Sequence, residues 1–199
     1  QIGRCDLEDT IVVTGQARSG TTWLAEMLRS LNGYKCMNEP LSTGSNPEVG
    51  EASFDGRNCL APGERRPEFE RYMERILKGQ MYKSWLWRFE ADNGVQRLAE
   101  QLSNRKLVVK FIRAQRMVQW LLDRFDVRGA VHIIRHPCAV VASMREMKWY
   151  RQEKLREFHG DSMVDQVIIS PIPDAVRSKF APILQRIETN EEVLAARWC

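Results

Sequence analysis

Two stretches of this chain carry residues whose types and spacing can do chemistry on an anion. The first is Gly15-Gln16-Ala17-Arg18-Ser19-Gly20-Thr21-Thr22. Its glycines have the G-x-x-x-x-G spacing of a phosphate loop. Glycine lets a backbone bend closely around an anion, and a helix that begins here offers amide N–H groups and a partial positive charge. Thr21 and Thr22 add hydroxyl donors, and Arg18 sets a cation inside the loop. A phosphate site is the sharper reading; a Gly/Ser/Thr turn that only caps a helix is the plainer one. A Walker loop would carry Lys at the position of Thr21, where it reaches the β- and γ-phosphates of ATP. Without it, Mg-ATP chemistry is poorly supported.

The second stretch is Ile133-Ile134-Arg135-His136-Pro137-Cys138-Ala139-Val140-Val141-Ala142-Ser143. It reads as strand, turn and helix, with Pro at its permitted first helical position. Arg135 falls where the strand ends and Ser143 two turns into the helix. An Arg and a hydroxyl so placed can grip a second phosphate, the Arg through paired charge-assisted bonds. An Arg paired to a surface carboxylate, with a Ser packed in its helix, is the alternative. A carboxylate completes the set: Glu39, in Asn38-Glu39-Pro40-Leu41, follows a presumed strand and projects at the same sheet edge as the loop. There it is the candidate general base; an exposed turn residue before proline is the competing reading.

The elements that must position these residues alternate. Ile11–Val13 is a short apolar run of the kind buried on both faces of a sheet. Trp23, Leu24, Met27, Leu28 and Leu31 mark one face of the following helix, which Asn32-Gly33 stops. Tyr34–Met37 predicts the next strand. Residues 41–63 read as a loop, 67–90 as a helix with Phe69, Tyr72, Met73, Ile76 and Leu77 on one side, and 94–103 as a further short helix. Leu107–Ile112 is a strand, Gln115–Phe125 a helix bearing Met117, Val118, Leu121, Leu122 and Phe125, Ala130–Ile134 a strand and Pro137–Met147 a helix. Two helices close the chain, the last opened by a Thr189-x-x-Glu192 capping box. Such alternation implies an α/β fold, a P-loop NTPase-like three-layer arrangement around a central, mostly parallel sheet, with ligands beyond the carboxyl ends of the strands.

The 199 residues, 43% apolar and 28% charged, suit one globular domain, taken as residues 1–199 with residues 41–105 as a loop and helical insertion beside the site. The net charge of +4 suits an anionic ligand, but acidic and basic residues are interspersed, so nucleic acid is not expected. Five cysteines without a C-x-x-C pair predict reduced thiols, no zinc site and a cytoplasmic setting. No apolar run reaches transmembrane length, and membrane contact is not expected. A start at Gln and a closing segment that reads as an unfinished helix lead us to expect a piece of a longer protein, trimmed at the C-terminus and free to have lost an anchor or signal.

Together the two motifs resemble the PAPS-dependent sulfotransferases, which use 3′-phosphoadenosine 5′-phosphosulfate. That family has a 5′-phosphosulfate loop ending in S-G-T-T-W after Lys or Arg, here Arg18-Ser19-Gly20-Thr21-Thr22-Trp23. Carbohydrate-type members carry R-x-P-x-A-V-x-x-S, here Arg135 to Ser143 without gaps. The resemblance covers about residues 10–40 and 105–147. It implies sulfuryl transfer from PAPS to a hydroxyl or amine, with adenosine 3′,5′-bisphosphate (PAP) as product and no metal. The implied acceptor is a small molecule or glycan. Ser19, Gly20, Thr21 and Thr22 would hold the 5′-phosphosulfate; Arg135 and Ser143 would bind the 3′-phosphate. Arg18 would neutralise charge on the departing oxygen, by stabilisation rather than proton donation. Trp23 would stack on the adenine, with core packing as its rival role. Glu39 matches an E-P pair whose Glu is proposed as base. The rival bases His132, His136 and His159 read as structural, turn-orienting and solvated. Lys110, Arg113 and Arg116 either line the cleft or are surface charge; Trp85, Trp87, Trp149 and Tyr150 either form an acceptor platform or pack. A P-loop kinase or NTPase, and a non-catalytic nucleotide-binding domain of the same fold, remain the alternatives.

Overall fold

The structure is a computed structural model that describes residues 4–42, 48–51, 60–81, 87–88 and 102–146, with a few isolated positions elsewhere. The chain divides into two compact units, Gln1–Ile134 and Arg135–Cys199. Within the first, the strands are β1 (Thr10–Gly15), β2 (Tyr34–Asn38), β3 (Trp87–Arg88), β4 (Lys106–Phe111) and β5 (Gly129–Ile133). The helices are α1 (Thr21–Arg29), a short α2 (Glu48–Glu51), α3 (Pro67–Leu77) and α4 (Val118–Arg124), the last preceded by a 3-10 turn, Gln115–Met117.

The sheet order is β3-β2-β4-β1-β5. All pairs are parallel except β2 with β3. Helices cover both faces, giving the three-layer, P-loop-like α/β fold that the alternation of strands and helices predicts. On one face α1 packs Ala25, Leu24 and Leu28 against Val13, Cys36 and Val108. On the other, Phe69, Met73, Ile76, Leu77, Trp120 and Leu121 meet Val12, Met37, Val109 and Phe111. Successive strand residues point to opposite faces, so Val12 and Val13 belong to different cores.

β1 leads through α1 to β2, whereas β4 leads through α4 to β5 on the far side of β1. The chain therefore changes direction between β1 and β4. In open α/β sheets a crevice for ligands opens at that switch point, beyond the carboxyl ends.

Two sequence expectations need correction. The helix predicted for 67–90 ends at Leu77. Gly79 takes φ 68°, its N–H reaches Ile76 C=O at 2.9 Å, and Gln80 N–H reaches Arg75 C=O at 2.8 Å. That paired pattern with glycine in the left-handed region terminates a helix. Trp87 then lies in β3, buried, its Nε1–H donating to Met81 C=O at 2.8 Å; it packs the core rather than forming an acceptor platform. Helix α1 is also turned from the predicted face. Thr21, Leu24, Ala25 and Leu28 face the sheet, and Trp23 (68% exposed), Met27 and Leu31 face outward.

The segment read as a loop contributes Leu41, Val49 and Leu60 to the core. The predicted helix 94–103 and the Trp85, Trp149, Tyr150 and His159 expectations lie largely or wholly outside the described residues. Cys5, Cys36 and Cys138 are not in disulfides. Among the described residues no helix is long and apolar enough to cross a membrane.

In the second unit, α5 runs Pro137–Glu146. Farther on, the predicted capping box forms: Thr189 N–H donates to Glu192 Oε2 at 3.0 Å and Glu192 N–H to Thr189 Oγ1 at 3.3 Å.

Candidate active site

The loop after β1 is held by geometry that only its own residues permit. At Gly15 an added Cβ would lie 2.6 Å from Ile133 O and 3.0 Å from Thr21 Cγ2; the backbone of β5 leaves no room for one. Gly20 caps α1 at φ 100° with no side-chain cap bond. The first helical N–H to find a carbonyl is that of Leu24, on Gly20 C=O at 3.1 Å. The N–H groups ahead of it form the anion-attracting end of the helix. Arg18, between the glycines, has φ 69°.

The loop is pinned from the end of β4. Gln115 Nε2 donates to Gly15 C=O and to Gln16 Oε1, both at 3.1 Å. Nothing in the sequence singles out Gln115, since its role depends on the β1–β4 pairing.

Within the loop, Ser19 Oγ is buried and has no hydrogen-bond partner. A buried hydroxyl without a partner carries an appreciable cost, and an anion oxygen seated against the loop would remove it. The hydroxyl, the uncapped helix end and the glycine geometry all fit a phosphosulfate group.

Lys110 is the residue that sequence reasoning left undecided between cleft and surface. It is 6% exposed. The parallel register sets it beside Asn38 of β2 and Val13 of β1, on the α1 face of the sheet. Its Nζ donates to Thr22 Oγ1 at 2.9 Å and to Asn38 Oδ1 at 3.0 Å, and lies 2.9 Å from Glu39 Oε1. One ammonium thus joins the phosphate loop to the candidate base.

Glu39 has φ 55°. Its N–H donates to Lys110 C=O at 2.9 Å, and its C=O accepts from Ser42 N–H at 3.0 Å. Carboxylate Oε2 accepts from Ile112 N–H at 3.1 Å. Oε1 is buried and holds Lys110 by charge alone, without an aligned hydrogen bond. The carboxylate is therefore anchored through one oxygen and leaves the other with unused acceptor capacity. Among the described residues Arg18 and Glu39 are the two non-glycine residues at positive φ. Backbone held in that region costs on the order of 1–3 kcal/mol and clusters at functional sites.

The remaining candidates sort by surroundings. Trp23 is too exposed to be a core residue. His132 is exposed. Arg113 Nη1 donates to Leu41 C=O at 3.4 Å, and Arg116 is exposed. In the second unit, Arg135 is exposed, directly before the turn that opens α5. His136 caps that helix as the turn-orienting expectation has it. Its Nδ1 accepts from Cys138 N–H at 3.3 Å, and its C=O from Ala139 and Val140 N–H. Ser143 is half-buried on α5.

A family profile described as the sulfotransferase family matches residues 10–167. The match spans most of the chain and takes in both motifs, and the chain belongs to that family. No curated protein and no solved structure matches it significantly.

Proposed function

We propose that the chain transfers a sulfuryl group from PAPS to a hydroxyl or amine, with a carbohydrate as the favoured acceptor class. When bound, PAPS supplies the sulfuryl group on a phosphate leaving group. Ser19, Gly20, Thr21 and Thr22 hold the 5′-phosphosulfate end with helix amides and hydroxyls, and Arg18 offsets charge on the departing oxygen. Trp23 stacks on the adenine from its exposed position. Arg135 and Ser143 take the 3′-phosphate, an assignment that rests on the R-x-P-x-A-V-x-x-S motif. Residues 41–105 contribute to the acceptor site.

Glu39 takes the acceptor proton at Oε1. The observation that carries this reading is the state of its carboxylate: oriented by Ile112 N–H through Oε2, with a buried Oε1 that accepts no hydrogen bond and is paired by charge to the ammonium that also holds Thr22 of the loop. A base has to lie within hydrogen-bond reach of the proton it removes while staying fixed in orientation.

The test is transfer of labelled sulfuryl from PAPS to a panel of glycans, phenols and amines. Glu39→Gln keeps the shape of the side chain and is expected to lower kcat on the order of 10²–10⁴-fold. Full turnover in that variant would remove Glu39 from the base role. A wild-type protein that binds PAP tightly yet transfers to no acceptor would favour a non-catalytic binding domain.

A further inference from the structure

Lys110 stands where an acceptor hydroxyl has to come. For proton transfer that oxygen must approach Glu39 Oε1 to about 2.6–3.2 Å, and Lys110 Nζ already lies at 2.9 Å. The same ammonium is bound to Thr22 Oγ1 at 2.9 Å, a hydroxyl of the phosphate loop. Its three protons have three oxygens around them, on Thr22, Asn38 and Glu39, so a further anion at the loop must draw it from one of them. The contact to Glu39 is the one of the three without hydrogen-bond alignment.

We propose that Lys110 is a positioning residue that couples donor seating to base availability. With the loop empty it covers Glu39 Oε1. An anion seated at Thr22 draws the ammonium towards itself and clears the approach to that oxygen, while Ile112 N–H keeps the carboxylate oriented. The acceptor then meets an available base only after the donor has bound. The inference rests on the donor and base roles proposed above.

Because the ammonium must leave the carboxylate for the anion, Glu39 opposes donor binding through Lys110. Calorimetric titration with PAP, which needs no turnover, measures this in wild type, Glu39→Gln, Lys110→Met and the double variant. Glu39→Gln is expected to bind PAP roughly tenfold tighter than wild type, the size of a partly buried charge pair. In the Lys110→Met background the same change is expected to give no gain. An equal gain in both backgrounds means simple removal of a negative charge and overturns the proposal, as does no gain in Glu39→Gln. If Lys110→Met does not fold, Lys110→Arg replaces it: a guanidinium pairs a carboxylate through two bonds, so the gain from Glu39→Gln should grow, and an unchanged gain overturns the coupling. Failure of wild type to bind PAP overturns the donor reading itself. Turnover retained in Glu39→Gln overturns the base reading while the binding comparison still judges the coupling.

Discussion

Gly15 and Gly20 are both required by the loop, for different physical reasons, and substitution separates them. At Gly15 an alanine methyl would sit 2.6 Å from the carbonyl oxygen of Ile133. Ordinary contact lies near 3.5–4.0 Å, so the backbones of β1 and β5 must part by on the order of 1 Å. The obstacle is backbone within a paired ladder, Gly15 opposite Ile133, and cannot swing aside. We expect Gly15→Ala to cost about 2–3 kcal/mol, the upper part of the overpacking range. It should also loosen the Gln115 bond to Gly15 C=O. At Gly20 a methyl would meet no described atom within 4 Å, but the backbone has φ 100°. There the cost is conformational, about 1–2 kcal/mol for alanine, and less for asparagine. Equilibrium urea unfolding, with the midpoint read at constant m-value, distinguishes the two. Gly20→Asn should recover part of the loss seen in Gly20→Ala, whereas Gly15→Asn should be worse than Gly15→Ala. A Gly15→Ala protein within about 0.5 kcal/mol of wild type would refute the close-approach argument.

Three further outcomes follow from the same structure. Trp120 is fully buried, stacks on Phe69 at 5.6 Å and donates to Glu64 C=O at 2.9 Å; Trp120→Ala should cost about 3–5 kcal/mol in urea unfolding. Trp23→Ala should change stability by no more than about 0.5 kcal/mol, yet weaken PAP binding by ~1–3 kcal/mol of lost stacking; unchanged affinity would remove Trp23 from the nucleotide site. Lys35 is 3% exposed, and burial holds its pKa below the usual lysine value of 10.5, while burial pushes the neighbouring Cys5 thiol up from 9.0. For Lys35 the unfolded chain binds more protons between the lowered value and 10.5, so stability rises with pH there. The Cys5 contribution runs the other way, present below 9.0 and lost as pH climbs through its raised value. Lys35→Met removes the rising part, so its stability relative to wild type should be highest near neutral pH and fall towards pH 10.5; a pH-independent difference would contradict the assignment.

How much of this was legible depends on the kind of signal. The strands around Val12, Val108 and Val131 are short apolar runs and read directly, as does the glycine loop between β1 and α1. Glu39 was singled out because it follows a strand and precedes Pro40. Its left-handed backbone was not, since non-glycine residues there are set by tertiary contacts with Lys110 and Ser42 rather than by local preference. The length of α3 was misread although Gly79 carried the stop signal. Trp120 was left off the predicted helix face and proved to be one of the tryptophans in the core. Lys110 was undecidable: a lysine ending an apolar strand reads alike whether it meets solvent or a partner. Only the order β2-β4-β1, which places Asn38 beside it and α1 above it, shows that it is enclosed.

The central proposal is that the chain binds a 3′-phosphorylated nucleotide as its donor, and calorimetric titration with PAP, beside AMP and Mg-ATP, tests it most directly. We predict tight, metal-independent binding of PAP, much weaker binding of AMP, and a sharp loss of PAP affinity in Arg135→Ala. A preference for Mg-ATP, or equal affinity for nucleotides with and without the 3′-phosphate, would contradict it.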